Sequence, residues 1–130
     1  MMRTYHADVI GSLLRPRHLF EARAALDVGR MEPHEFKQIE DRAVDEGIAL
    51  QEGCGLDVVT DGELRRFSFL DQLLSEVEGV TERPGAAVNF HSRSGEIWDW
   101  HAPITITGKF RGKRMLTLEE FAYARGRLRP

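Results

Sequence analysis

Cysteine is almost missing from this chain: its 130 residues hold one, Cys54. A lone thiol excludes an internal disulfide and fits a reducing compartment, so a cytoplasmic location is expected. Long apolar runs are missing as well. No stretch approaches the ~18 apolar residues of a membrane span, and the first six residues lack a signal-peptide core. The expectation is a soluble, unprocessed chain with no membrane partner. Nor is there an excess of positive charge, since 18 Lys and Arg against 21 Asp and Glu give −3. Without a basic field, nucleic acid is not an expected partner, and a small-molecule substrate is the default.

Several chemical devices are also lacking. His6, His18, His34, His91, His101 and Cys54 show neither C-x-x-C nor H-x-x-x-H spacing, so no metal ligand is assigned. There is no Walker-type loop, no G-x-G-x-x-G and no serine in a nucleophile-elbow context, and no catalytic residue is assigned. What is present is ordinary for a globular domain, with 42% hydrophobic and 30% charged residues, enough to bury a core.

The most informative stretch is Leu56-Asp57-Val58-Val59-Thr60-Asp61-Gly62-Glu63-Leu64-Arg65-Arg66. A β-branched run stops at a glycine between two carboxylates, with two guanidinium groups beyond. That pattern reads as the carboxyl end of a parallel strand, where α/β barrels place their chemistry. Asp61 and Glu63 have two readings of equal weight. They either share a proton or hold a substrate ammonium, or they are a capping acid and an ion-pair partner for Arg65 or Arg66.

Around this stretch, His6 to Ile10 reads as a strand running into Gly11-Ser12-Leu13-Leu14-Arg15-Pro16. Pro16 suits the first turn of a helix from Arg17 to Leu26 that ends at Gly29. Pro33 opens a second helix to Glu52. Its apolar face is Phe36, Ile39, Ala43, Ile48 and Leu50, while Lys37, Glu40, Asp41 and Asp45 face water. Gly47 within it implies close packing, and Cys54 reads as a small buried filler. Strand Leu56 to Thr60 leads to a helix from about Arg66 to Leu74. Alternation in residues 87–91 and 96–100 around Ser92-Arg93-Ser94-Gly95 reads as a β-hairpin, with Trp98 and Trp100 either flooring a cleft or covering core. Pro103 to Gly108 is a third strand. A Thr117/Glu120 capping box with a Leu116/Phe121 staple starts a helix from Leu118 to about Gly126.

Taken together, Ile10-Gly11-Ser12-Leu13-Leu14-Arg15-Pro16, Gly55 to Glu63 with Arg66, and Pro103 to Gly108 before a Thr-capped helix resemble the cobalamin-independent methionine synthase family. The likeness is to the first part of its catalytic barrel. It implies an α/β fold in which residues 1–130 form one partial domain, the first three βα units of a (β/α)₈ TIM barrel, with a hairpin insertion over 79–101. It also implies a zinc-dependent methyltransferase of methionine biosynthesis, in which zinc activates a thiol, usually homocysteine, to accept a methyl group from a methylated folate. By the same resemblance, Ile10, Gly11, Ser12 and Glu63 hold the amino acid; Asp61 and Arg66, on the same charged stretch, are taken as further candidate substrate-binding residues. Zinc is expected only in a completed barrel and none on this chain alone, because the family's ligands lie in the other half. A barrel needs about 250 residues, so the chain is expected to need a complementing chain or a homo-oligomer and to be inactive alone. The long synthases carry an Arg-Cys pair where Trp98 and Asp99 stand here, which leaves the methyl donor open. Two alternatives accompany this reading: a non-catalytic oligomerisation or regulatory remnant of a barrel, and a relative that alkylates another thiol such as coenzyme M.

Overall fold

A computed structural model describes residues 7–66, 74, 76–82, 87–101, 104–113 and 117–128. The chain divides into two compact units, one of Met1–Phe69 with Thr117–Pro130 and the other of Leu70–Leu116. The fold is α/β, and each unit is described by itself.

The first unit is built on helices. Helix α1 spans Arg17–Asp27 and α2 spans Pro33–Gly53. Both stop in the same way. After α1, Gly29 at φ 69° lets its N–H reach the Leu26 carbonyl while the Arg30 N–H reaches Ala25, at 2.9 and 2.8 Å. After α2, Gly55 at φ 72° sends its N–H to Glu52 and Leu56 sends its own to Gln51. These paired bonds are Schellman caps, which need a residue in the left-handed region and so favour glycine. Pro33 occupies the first turn of α2, where a missing N–H costs nothing. The Glu35 carboxylate accepts the Glu32 N–H at 3.0 Å.

Helix α3, Leu118–Arg127, corrects one expectation. Thr117 precedes it at φ 61° and makes no side-chain cap. A β-branched residue held in the left-handed region no longer presents its hydroxyl to the amides of the first turn, so the Thr117/Glu120 box does not form. Phe121, expected in a staple, is 61% exposed, and Leu116 lies outside the described residues.

The core of this unit joins Leu19 and Ala22 of α1, Phe36, Ala43, Val44 and Ile48 of α2, and Leu64 from the acidic stretch. Leu13, Val59, Tyr123 and Ala124 pack against it half-buried. Two further expectations for α2 are corrected. Glu40 is buried, because arginines from other elements draw it inward, and Leu50 is exposed. Cys54 is exposed, not a buried filler, since it caps α2 immediately before the outward Schellman turn.

Residues 7–10 and 56–60, expected as strands, carry no ladder. They nevertheless run side by side in the same direction, with the Ala7 N–H on Asp57 Oδ2 at 3.4 Å and the Leu13 N–H on the Gly62 carbonyl at 2.9 Å. The Gln51 side chain replaces the missing strand partner. Its amide donates to the Thr60 carbonyl at 2.8 Å and to Gly47 at 3.0 Å, and its oxygen accepts the Thr60 N–H at 3.0 Å.

The second unit holds the strands. β1 (Val77–Glu82) pairs antiparallel with β4 (Ile104–Gly112), and β2 (Ala87–His91) pairs antiparallel with β3 (Ile97–His101). The register breaks between Glu78 and Val80. There Gly79 sits at φ 86°, and a Cβ on it would meet the Lys109 carbonyl oxygen at 2.7 Å, so this bulge admits only glycine. The β2–β3 turn is closed by Ser92, whose N–H donates to Glu96 and whose carbonyl accepts from Gly95. Residues 104–108, read as a third parallel strand, therefore form an antiparallel edge. Among the described residues every strand pairing is antiparallel, and the three parallel βα units are not found. The helix expected from about Arg66 to Leu74 falls largely on residues 67–73, outside the described residues, as do the side chains of Trp98 and Trp100.

Gln51→Leu keeps the volume and removes the surrogate strand partner, stranding the Thr60 N–H and carbonyl. Each unsatisfied group costs about 1–3 kcal/mol. Chemical denaturation is expected to show a loss of at least that size, and an unchanged midpoint would contradict the role given to Gln51.

Candidate functional site

The turn at residues 61–66 is strained and heavily held. Gly62 and Glu63 both have positive φ, 67° and 53°. For Glu63 this is uncommon backbone that persists only where the surroundings impose it. Within the turn, the Thr60 hydroxyl accepts the Gly62 N–H at 3.1 Å, and Asp61 Oδ1 accepts the Glu63 N–H at 3.0 Å. A Cβ on Gly62 would lie 2.8 Å from Leu13 Cδ1, so glycine allows the two loops to touch.

From the other loop, Arg15 reaches across to the carbonyls that end this turn. Its Nη2 donates to Arg66 at 2.7 Å and to Glu63 at 3.2 Å, and its Nε donates to Arg66 at 3.0 Å. A planar guanidinium fork suits such multiple acceptors. The Gly-Ser turn and the Asp-Gly-Glu tip are thus brought together by a backbone hydrogen bond, an arginine clamp and a leucine–glycine contact. Gly47, on α2 beneath, completes the fit: a Cβ there would meet Leu64 Cδ1 at 3.0 Å and Leu13 Cδ1 at 3.3 Å.

The candidate residues take the following places. Ile10, Gly11 and Ser12 are exposed on the first loop, Ile10 at 96% and Gly11 at φ 82°. Glu63 Oε1 pairs with Arg66 Nη1 at 3.3 Å, both side chains being mostly covered. Asp61 Oδ2 is buried with no hydrogen-bond partner among the described residues. Buried acceptors are nearly always satisfied, so this oxygen marks a position where a donor belongs. An open concavity of about 370 Å³ is lined by Ala49, Glu52, Gly53 and Leu56, none of them a candidate residue.

The charged residues beneath the turn were not legible as site residues. Arg65 turns inward, with its side chain 10% exposed, and pairs with Glu40 at 3.0 Å and Asp41 at 2.6 Å. Its guanidinium lies over the Tyr123 ring of α3, 4.4 Å from the centroid. Arg23 of α1 approaches Glu40 at 3.6 Å and donates to the Arg65 carbonyl at 3.4 Å. Burial pushes the Glu40 carboxyl above its ordinary value, against the pull of Arg65 and Arg23. Burial also acts on Asp41, but hydrogen bonds from Lys37 and Arg65 outweigh it and hold that carboxyl low. Among the described residues no three His, Cys, Asp or Glu side chains come together as a metal site. The described residues therefore do not fit the zinc implied by the family resemblance.

The opposite shifts give opposite pH dependences. Asp41 lies below its ordinary 3.8, so its contribution is present above that value and lost as pH falls through the lowered folded value. Glu40, raised, works the other way: its ionised form is penalised as pH rises. Asp41→Asn is therefore expected to cost about 1.5–3 kcal/mol at pH 7, in line with hydrogen bonds to charged groups, and clearly less at pH 3. Urea unfolding at the two pH values measures this, and a cost independent of pH would refute it.

No family model matches the chain. It is 35% identical over 120 residues to Uncharacterized protein YxjG of Bacillus subtilis (strain 168), covering 92% of this chain and 31% of that protein. A 5-methyltetrahydropteroyltriglutamate–homocysteine methyltransferase of Thermotoga sp. (strain RQ2) is 26% identical over 121 residues, covering 92% of this chain and 16% of the enzyme. Among solved structures, a protein of Listeria monocytogenes assigned as a vitamin-B12-independent methionine synthase superposes with a TM-score of 0.68 at 24% identity, over 98% of this chain and 33% of that one. The chain thus spans a third or less of the length of these relatives. The structural neighbours are TIM barrels, and together the similarities make the chain methionine-synthase-like at a distant level.

Proposed function

We propose that this chain supplies the amino-acid-binding part of a methionine-synthase-like thiol methyltransferase, with homocysteine as the substrate, and that it requires further chain to act. The observation that carries the reading is the 2.9 Å hydrogen bond from Leu13 N–H to the Gly62 carbonyl, which seats the Ser12 turn beside the Glu63 tip.

The chemistry follows from that pairing. An α-amino acid presents a carboxylate and an ammonium a few ångströms apart. Exposed backbone at Gly11 and the Ser12 hydroxyl are suited to the first, and Glu63 to the second. Arg66 engages one oxygen of Glu63, but a carboxylate accepts at about four positions, so an ammonium can be added without displacing the arginine. None of these groups is a nucleophile or an acid for the leaving group. This part of the site orients the substrate, and the groups that activate the thiol belong elsewhere.

Exposed apolar residues support the need for more chain. Ile10 and Leu14 are each 96% exposed and Val58 is 44% exposed, all on or next to the paired extended segments. A cluster of this kind beside backbone without a ladder suits a covering chain, whether a complementing polypeptide or a second copy.

Calorimetric titration with homocysteine tests the reading, using the native chain together with a polypeptide matching the remaining length of the relatives. Glu63→Gln removes one charge-assisted contact worth about 1.5–3 kcal/mol, so affinity is expected to fall by at least tenfold. Equal affinity of the variant, or no binding by the completed native protein, would overturn the proposal.

A further inference from the structure

We infer that Arg65 is a positioning residue for the Glu63 carboxylate, tying the strained acidic tip to α2 and α3 so that it faces the Ser12 turn in one geometry. The inference rests on the reading of Glu63 as the acceptor for the substrate ammonium.

Two successive residues at positive φ, Gly62 and Glu63, give a turn that relaxes unless both of its ends are fixed. The upstream end is fixed by Gln51 on Thr60 and by Leu13 on Gly62. The downstream end has three holds. Leu64 is 2% exposed in the core, Arg15 grips the carbonyls of Glu63 and Arg66, and Arg65 is gripped from below. The first two fix depth and backbone direction. Arg65 adds rotation, because its Nη1 meets carboxylates on successive residues of α2, Glu40 and Asp41, while its guanidinium carbon lies over the Tyr123 ring of α3.

Tyr123 is itself fixed, its hydroxyl donating to Asp45 at 2.9 Å and accepting from Arg127 at 3.1 Å. A residue held on three sides, two positions along the chain from Glu63, leaves the intervening backbone little freedom. Glu40 can be this deeply buried only because Arg65 and Arg23 face it. The network thus commits a buried carboxylate to holding two arginines, Arg65 at the shorter distance.

Arg65→Met alone would leave Glu40 buried without its main partner. The first variant is therefore the compensated Arg65→Met/Glu40→Met, and the milder second is Arg65→Lys, which keeps the charge without the planar guanidinium that lies over Tyr123. Hydrogen exchange on the full ligand-free chain reads the tip directly. The amides of Glu63, Leu64 and Arg66 are expected to exchange on the order of tenfold faster, with the α2 amides at 43–48 unchanged. Unchanged exchange at the tip in both variants would overturn the inference.

The second measurement compares affinity for homocysteine with that for its desamino analogue, 4-sulfanylbutanoate, in the completed protein. The variants are expected to lose affinity on the order of tenfold for homocysteine alone, because the analogue has no ammonium for Glu63 to meet. Equal loss for both ligands would reduce Arg65 to a general stabiliser and overturn the inference. If the native protein does not distinguish the ligands, the Glu63 reading fails, while hydrogen exchange still decides whether Arg65 positions the tip.

Discussion

One side-chain amide, that of Gln51, decides where the chain goes after α2. The segment at 56–60 is a β-branched run that would normally find its N–H and carbonyl groups a neighbouring strand. Here both backbone groups of Thr60 are met by a single glutamine one helical turn after Gly47. Each such bond contributes only about 1 kcal/mol net, but leaving the groups unmet costs more, so this partner effectively dictates the path. With Thr60 fixed, the turn at 61–66 emerges over the middle of α2. Leu64 drops into the core beside Gly47, and Arg65 falls over Glu40 and Asp41.

That arrangement explains why so much charge lies under a turn that carries its own. A buried ion pair is a poor source of stability, because desolvation offsets most of the Coulomb gain. Burial holds the Glu40 carboxyl above its ordinary value in spite of the facing arginines, in line with that offset. Such a network does confine its members to one arrangement. It lies beneath Glu63, whose backbone is held in the left-handed region, and the strain and the anchorage belong to one device: the left-handed Glu63 aims a carboxylate, and the arginines stop the turn from relaxing.

Local chemistry was legible in the sequence, and partnership was not. Pro33, Gly29 and Gly55 mark α1 and α2 to within a residue or so because a helix end is settled by its own dihedrals. The alternation around Ser92 to Gly95 likewise marks the β2–β3 hairpin. Glu40 was read as solvent-facing because its spacing on α2 says nothing of Arg23 and Arg65, which arrive from elsewhere. The Thr117 box failed because a motif specifies side chains and not the φ of the residue bearing them. β1 went unread because Val77-Glu78-Gly79-Val80 has no clean alternation, and its bulge around Gly79 is the reason. At the site, Gly-Ser and Asp-Gly-Glu were legible as sequence. Their meeting depends on Gly62 tolerating Leu13 and on Arg15 spanning the gap, contacts made across some fifty residues of chain.

The two extended segments bear on the surface that this unit presents. They run parallel and touch at both ends, yet lack the ladder of a sheet. A parallel pair is weak without neighbours on either side, and in α/β folds such strands are buried on both faces. Ile10 and Leu14 instead stand almost wholly in solvent. Apolar side chains at that exposure, beside backbone with its direction already set, set this pair apart from the strands of a buried parallel sheet. The chain spans a third or less of the relatives it matches. Among the described residues, the restraints on the Glu63 tip come from Gln51, Leu13, Arg15 and the Arg65 network. They hold the tip in one geometry within this unit, and the proposed substrate orientation rests on that geometry.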